Sequence, residues 1–577
     1  MKDDGPTVRL IATLGLILVF ANTQSALAQS RRTFPDQLDA TIGRLKEADK
    51  RQAPIGSPHA AIVTEDGPLK GLETSTTDQF LGIPYAKPPV GNLRWMAPQP
   101  HGKWKGIFQA TQFGTICTQP DGSGGTLGGE DCLTLNVFRP IQKKNQNKKH
   151  PLPVMVWIHG GALVTGSSFL YDPTPLVLRG GLIVVTINYR LGFLGFFAHP
   201  AIDAEGHTNG DYGYMDQQLA LQWVQRNIAA FGGDPHRVTI FGQSAGGQSI
   251  NSNMASPPAA GLFQQAISES GAYLDFQDYF HFILPLAIGE TVDTPFVPSG
   301  TSIGTAVGCP NPQTAECLRA VPASAVILEE PGTIYPFVDG TILTQTPSAA
   351  FASGQFNRVP VISGGNHDEW RLFVAQQFDF AGSPLTDPEY PFAVASLLGL
   401  DPASLADPLS LLSILVNVRY PLTQYPAPSA PLALGALGTD DIFACPERNA
   451  TRLLSKYVTT YAYEFNDENA PDLFDPVPSF PLGAYHGAEL QYLFNLNQRF
   501  TGFNPFTADQ QQLSNTMIGY WTRFANTGDP NFAGAPTWSP YSAGTDQFQS
   551  LVPPTPVVES TYDSNHQCST LWNLLPP

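Results

Sequence analysis

Five stretches of nearly unbroken apolar or β-branched residues, at 154–158, 182–189, 238–241, 359–363 and 461–465, constrain this chain more than any other feature. A strand with one wet face alternates apolar and polar residues. A continuous apolar strand needs cover on both faces, which a parallel sheet between helical layers supplies. Helical patterns lie between these runs. The best spans residues 214–231, where Leu221, Val224, Ile228 and Phe231 recur at three- and four-residue spacing until Gly232-Gly233-Asp234-Pro235 stops it. Strands alternating with helices predict an α/β fold: a central, mostly parallel twisted sheet flanked by helices. The stretch from about 275 to 450 is rich in Pro, Leu and aromatics and reads as inserted helices and loops that cap the sheet. No internal repeat and no long linker divides the chain.

Composition supports a large buried core. Of 577 residues, 42% are hydrophobic and only 14% charged, the reverse of a disordered chain. Gly and Pro, 53 each, are scattered without a period, which excludes collagen and simple repeats. The net charge of −18 argues against a nucleic-acid partner. The basic cluster Lys143, Lys144, Lys148, Lys149 and His150 lies in a polar stretch between apolar runs, and the expectation is a solvated hairpin tip. At the N-terminus, Lys2 and Arg9 precede or open a mostly apolar run at 10–21, followed by Ala26-Leu27-Ala28. This is the pattern of a cleavable signal peptide cut after Ala28, too short to be a membrane span, and it predicts a secreted or periplasmic protein without a stable membrane anchor. Residues 29–57 read as a polar lead-in, and 58–577 as the folded domain. Six cysteines suit an oxidising compartment. Cys309 and Cys317 flank a Pro-rich turn, Cys117 and Cys132 bracket a Gly-rich stretch, and Cys445 and Cys568 remain.

Gly242-Gln243-Ser244-Ala245-Gly246 follows one apolar run directly and precedes a helix-compatible run at 247–254. A G-x-S-x-G between strand and helix is the nucleophile elbow, which thrusts a serine Oγ clear of the sheet while the helix N-terminus favours developing negative charge. A second match, Gly300-Thr301-Ser302-Ile303-Gly304, has no strand before it, and Ser302 is expected in a surface loop. The run at 154–158 ends in His159-Gly160-Gly161-Ala162. A strand ending in H-G-G-small offers backbone N–H groups to a tetrahedral oxyanion. The expected donors are Gly161, Ala162 and Ala245, with His159 structural.

A serine nucleophile needs a histidine oriented by a carboxylate, in the chain order Ser, acid, His for this elbow. Four of the eleven histidines follow Ser244: His281, His367, His486 and His566. His486, in Gly483-Ala484-Tyr485-His486-Gly487, is the best placed; His281 lies in an aromatic run, His367 adjoins the acid candidates, and His566 is expected at the surface. The acid should follow a strand. The run at 359–363 leads into Gly364-Gly365-Asn366-His367-Asp368-Glu369, and either Asp368 or Glu369 could serve.

At this point the chain resembles the type-B carboxylesterase/lipase family. The motifs are Phe80-Leu81-Gly82-Ile83-Pro84-Tyr85-Ala86, Glu130-Asp131-Cys132-Leu133-Thr134-Leu135-Asn136, Asn188-Tyr189-Arg190-Leu191-Gly192 and the run 216–247. The resemblance implies the α/β-hydrolase fold, with Ser244 on the nucleophile, Glu369 on the acid and His486 on the base. It places Ser270 on a serine that supports the acid. It pairs Cys117 with Cys132, Cys309 with Cys317 and Cys445 with Cys568, and implies ion pairs Arg94–Glu130 and Arg190–Asp216. Two departures stand out. Gln243 replaces the glutamate that many relatives carry, and the 117–132 loop lacks the tryptophan that binds choline, which argues against acetylcholine as substrate.

The implied activity is hydrolysis of a small-molecule or lipid carboxylic ester through an acyl-enzyme. No metal or organic cofactor is called for, and no HExxH, P-loop or dinucleotide fingerprint is found. Lipase or sterol esterase activity is the alternative, and a noncatalytic adhesion module the rival from another class. Tyr273, Phe276, Tyr279, Phe280 and Phe282, with the apolar stretch 397–416, are candidates for an acyl gorge or lid, against ordinary core packing.

Overall fold

A computed structural model of the chain describes residues 57–58, 61–141, 150–207, 210–273, 283–294, 297–311, 313–330, 334–473, 477–496 and 505–574. The expected signal peptide and most of the lead-in lie outside these residues.

Twelve strands form the main sheet. They are β1 (Ser57–Pro58), β2 (Leu72–Glu73), β3 (Thr77–Pro84), β4 (Thr134–Pro140), β5 (Leu152–Ile158), β6 (Ile183–Ile187), β7 (Gly233–Gln243), β8 (Gln265–Glu269), β9 (Val361–Asn366), β10 (Thr460–Phe465), β11 (Phe548–Leu551) and β12 (Val557–Glu559). Their spatial order is β1-β2-β3-β4-β6-β5-β7-β8-β9-β10-β11-β12. The block from β6 to β11 is parallel throughout, and the strands outside it pair antiparallel. The five apolar runs are β5, β6, β7, β9 and β10, all inside the parallel block. β5 shows why its run is unbroken: Val154, Val156 and Ile158 enter one core and Met155 and Trp157 enter another on the opposite face.

The principal helices are α1 (Tyr212–Asn227), α2 (Ala245–Ala255), α3 (Glu369–Val374), α4 (Ser429–Gly438), α5 (Cys445–Leu454) and α6 (Ala508–Thr527). The periodic run at 214–231 becomes α1 followed by a 3-10 turn at Ile228–Phe231, and Gly232 stops it at φ 87°. A π-helical turn, Thr439–Ala444, joins α4 to α5. In the stretch 397–416, Leu412, Leu415 and Val416 are buried and Leu397, Leu400 and Leu405 pack against the same core, while residues 401–403 and 406–409 are exposed.

One expectation is corrected. β4 and β5 flank the basic stretch but are not neighbours, because β6 lies beside both; the connection is a crossover and no hairpin tip. Residues 142–149 themselves lie outside the described set. All three expected disulfides are present, Cys117–Cys132, Cys309–Cys317 and Cys445–Cys568. Both expected ion pairs form with two nitrogen–oxygen bonds: Arg94 to Glu130 at 2.7 Å each and Arg190 to Asp216 at 2.8 Å each.

The register brings strand ends together. Ile158 of β5 pairs with Gly242 of β7, Gln243 with Glu269 of β8, Glu269 with Gly364 of β9, and Asn366 with Phe465 of β10. The loops after these strands therefore converge on one edge, where ligands of open α/β sheets bind.

Candidate active site

Ser244 stands in the turn between β7 and α2 with φ 56° and ψ −126°. This backbone is unfavourable for a residue with a Cβ, by about 1–3 kcal/mol. It persists because β7 runs directly into α2, and the Ser244 N–H is held by the Glu269 carbonyl at 2.8 Å. The flanking glycines are required by close approach: a Cβ on Gly242 or Gly246 would lie 2.6 or 2.1 Å from the carbonyl oxygen of Ile158. The other G-x-S-x-G is different. It forms a short helix, Gly300–Ala306, capped by Ser299, and not the expected loop. Ser302 donates to Asp293 at 2.9 Å.

The acid and base candidates meet. Glu369 opens α3, and its Oε2 lies 2.6 Å from Nδ1 of His486. Its Oε1 accepts from Ser270 Oγ at 2.6 Å and from the Asn366 N–H at 2.7 Å. Each carboxylate oxygen is thus committed, and the geometry separates the two acid candidates. Asp368 points elsewhere: it pairs with Arg371 at 2.7 Å and accepts the Ala484 N–H at 3.0 Å, while its own N–H donates to the Ala484 carbonyl at 3.0 Å. Asp368 therefore fastens the loop that carries His486. Sequence reasoning missed this supporting role.

Behind Glu369 lie further buried carboxyls. Burial, then the charge of Glu369, pushes Glu489 up to about 7. Burial likewise pushes Glu447 up to about 8, although a Ser363 hydrogen bond opposes it. Raised in this way, these groups carry less negative charge beside the His486–Glu369 pair than ordinary carboxylates would.

The loop after β5 lies against the elbow. A Cβ on Gly160 would sit 3.1 Å from the Ser244 Cβ. Gly161 and Ala162 take positive φ values of 111° and 56°. Among the described residues, the N–H groups of Gly161, Ala162 and Ala245 find no acceptor. His159 is structural, as expected: its ring stacks on Tyr189 at 4.5 Å, its carbonyl accepts from the Tyr189 hydroxyl at 2.7 Å, and burial lowers its pKa to about 4. It is therefore a neutral pin for the loop.

Aromatic rings surround His486. Phe373 of α3 lies 5.2 Å and Phe443 of the π-helical turn 5.0 Å from its ring, and Tyr273 packs on Phe443 at 5.2 Å. Of the aromatic run expected to line a gorge, only Tyr273 falls among the described residues. Gln243 meets the base directly, its Nε2 3.2 Å from His486 Nε2. These contacts carry no local sequence signal beyond the Gln243 substitution itself.

Among the described residues, one histidine–carboxylate cluster has metal-ligand composition: His367, Glu464 and His566. Its groups already satisfy one another. His566 is bound by Asp440 at Nδ1 and by Glu464 at Nε2, both at 2.6 Å, and His367 Nδ1 lies 3.1 Å from the same Glu464 oxygen. His566 is 2% exposed, which corrects the expected surface position.

The sequence matches the carboxylesterase family over residues 58–570. The chain belongs to the carboxylesterase family. This carboxylesterase is similar to human cocaine esterase, 33% identical over 521 residues that cover 84% of this chain and 86% of that protein. It is 32% identical over 556 residues to human carboxylesterase 3, covering 92% and 89% of the two chains. Among solved structures, a PNB esterase superposes with a TM-score of 0.70 and 30% identity, over 90% of this chain and 100% of that one. The fold is the α/β-hydrolase fold, and the protein is a serine hydrolase of carboxylic esters.

Proposed function

We propose that this carboxylesterase cleaves its ester through an acyl-enzyme formed on Ser244, with His486 as base, Glu369 as its orienting acid, and Gly161, Ala162 and Ala245 as oxyanion donors. The observation that carries the reading is the 2.6 Å bond between Glu369 Oε2 and His486 Nδ1 beside the Ser244 elbow. With the Nδ1 proton held by Glu369, His486 Nε2 carries the lone pair that takes a proton once it leaves the Gln243 amide. His486 removes the Ser244 proton while Oγ attacks the ester carbonyl, and three N–H groups receive the charge that moves to the carbonyl oxygen. The alcohol leaves with the proton from His486, and water then attacks the acyl-enzyme by the same route. Ser270 and Asp368 hold the acid and the base loop.

The protein acts outside the reducing cytoplasm, in a secreted or periplasmic setting after loss of residues 1–28. Three disulfides support this. Among the described residues, no helix is long and apolar enough to cross a membrane. Residues 58–577 form the esterase domain. The substrate is a small-molecule carboxylic ester, with lipase or sterol esterase action as the alternative.

Wild type and Ser244→Ala compared on p-nitrophenyl esters from acetate to palmitate test both levels. The variant should lose about 10⁶-fold in kcat. A short-chain optimum supports the small-ester reading, and a long-chain optimum the lipase alternative. Activity retained by Ser244→Ala refutes the assignment.

A further inference from the structure

His486 Nε2, the atom that must take the Ser244 proton, rests on a side chain to which the mechanism above gives no task. Gln243 ends β7, one residue before the elbow serine, and is 5% exposed. Its Nε2 lies 3.2 Å from His486 Nε2. An amide nitrogen carries only N–H, so it donates and the imidazole accepts. The amide is oriented for this. Its oxygen faces the loop after β5, where a Cβ on Gly160 would meet it at 3.3 Å. Its nitrogen faces the base loop, where a Cβ on Gly487 would meet it at 3.8 Å. A ring with its proton on Nδ1, toward Glu369, and its lone pair on Nε2, toward Gln243, satisfies both neighbours. An imidazolium would set one N–H against another. The remaining surroundings favour charge or are neutral. Glu369 bonds Nδ1, and Glu489, raised by burial to about 7, adds a weaker attraction for a charged ring. α3 and the π-helical turn face the ring with Phe373 and Phe443. Asp368 is paired with Arg371 and Asp440 with His566, while burial raises Asp441 to about 8.

We propose that Gln243 is a positioning residue for the base: its amide holds His486 as the uncharged ring with the lone pair on Nε2, and so extends ester hydrolysis into more acidic medium. The proposal rests on His486 being the base. The buried carboxylate at Nδ1 orients the imidazole but also favours its protonated form, which cannot accept from Ser244. The Gln243 amide opposes that pull from the other side of the ring, because its bond exists only with the uncharged form. When Ser244 gives up its proton, Nε2 exchanges the amide for Oγ, and Gln243 neither gains nor loses a proton.

The experiment is the pH profile of kcat/KM on p-nitrophenyl acetate for wild type, Gln243→Met and Gln243→Glu. Methionine nearly keeps the length of the side chain and removes the N–H. The acid limb should move up by about half to one pH unit, the worth of one neutral hydrogen bond to the uncharged ring. Activity at the acid end, relative to the alkaline plateau, should therefore fall about three- to tenfold. Gln243→Glu brings a carboxylate to the same nitrogen, and its limb should move up further, by about one to three units. A side chain that only packs the elbow would change kcat/KM alike at every pH and leave the limb in place. Should Gln243→Met fail to fold, Gln243→Leu removes the same N–H and is held to the same shift. An unmoved limb in a folded variant of either kind overturns the proposal. If His486→Ala is inactive in that case, only the role of Gln243 is lost. If His486→Ala is active, the base assignment fails and this proposal with it.

Discussion

His486 and His566 are both buried, and each holds a carboxylate oxygen at Nδ1 at 2.6 Å. They differ at Nε2. In His486 that nitrogen faces the amide of Gln243, a neutral donor that asks for a lone pair. In His566 it faces Glu464, a second carboxylate that asks for a proton. Burial opposes charge on His566, but Glu464 and Asp440 outweigh it and raise its pKa well above the ordinary value. Burial likewise works against Glu464 as an anion, yet His367 and His566 hold it well below the usual carboxylate range. One carboxylate orients an imidazole and leaves a base. Two carboxylates clamp it as a cation and leave a structural ion cluster.

The largest effect expected is on the reactive side. His486→Ala should lower kcat by about 10⁶-fold and leave the unfolding midpoint within a few degrees of wild type. Steady-state kinetics with thermal unfolding checks this, and comparable losses of stability in the two histidine variants would erase the distinction. His566→Ala should do the opposite. It leaves Asp440 and Glu464 buried without their cation, a cost of about 3–5 kcal/mol in denaturant unfolding, while active-site titration should show unchanged turnover per folded molecule.

The same cluster sets a pH dependence of stability. Burial works against a charged His367, but Glu464 wins and raises its pKa from 6.5 to about 9. A raised folded pKa stabilises fully below about pH 6.5, and the stabilisation is lost as pH rises through about 9. The depressed Glu464 contributes above its ordinary range near 4.5 and is lost on acidification. Wild type should therefore lose stability at both ends, and His566→Ala should flatten the profile; a variant with the wild-type profile would show that the cluster does not govern it. The smallest effect is at Ser270→Ala, where Glu369 keeps His486 but loses a 2.6 Å donor. kcat should fall roughly tenfold. A drop as large as that of His486→Ala would make Ser270 more than a support.

What the sequence revealed follows the range of the forces involved. β5, β6, β7, β9 and β10 were legible because each is buried on both faces, which writes an unbroken apolar run into one segment. β2, β11 and β12 were not, because strands of two to four residues are too short to carry such a run. The elbow was legible because its motif is contiguous, although its glycines answer a clash with Ile158 on the neighbouring strand. The residues around the acid did not separate Asp368 from Glu369, since both follow β9; the family resemblance pointed to Glu369, and the fold shows that carboxylate facing the ring. His566 was misread because its partners lie 126 and 102 residues away in sequence. Ser302 was misread because the cap at Ser299, which starts its helix, depends on a side chain outside the motif.

The strand order has a consequence for how such a chain is made. From β7 onward, β8, β9, β10 and β11 each settle beside the strand synthesised just before. The sheet can grow in one direction as the polypeptide emerges, with no later strand forced between earlier ones. The proposed nucleophile arrives at residue 244, its acid at 369 and its base at 486. A ribosome-bound fragment shorter than that holds an elbow without a proton acceptor, so a growing chain is chemically silent until most of it has been translated.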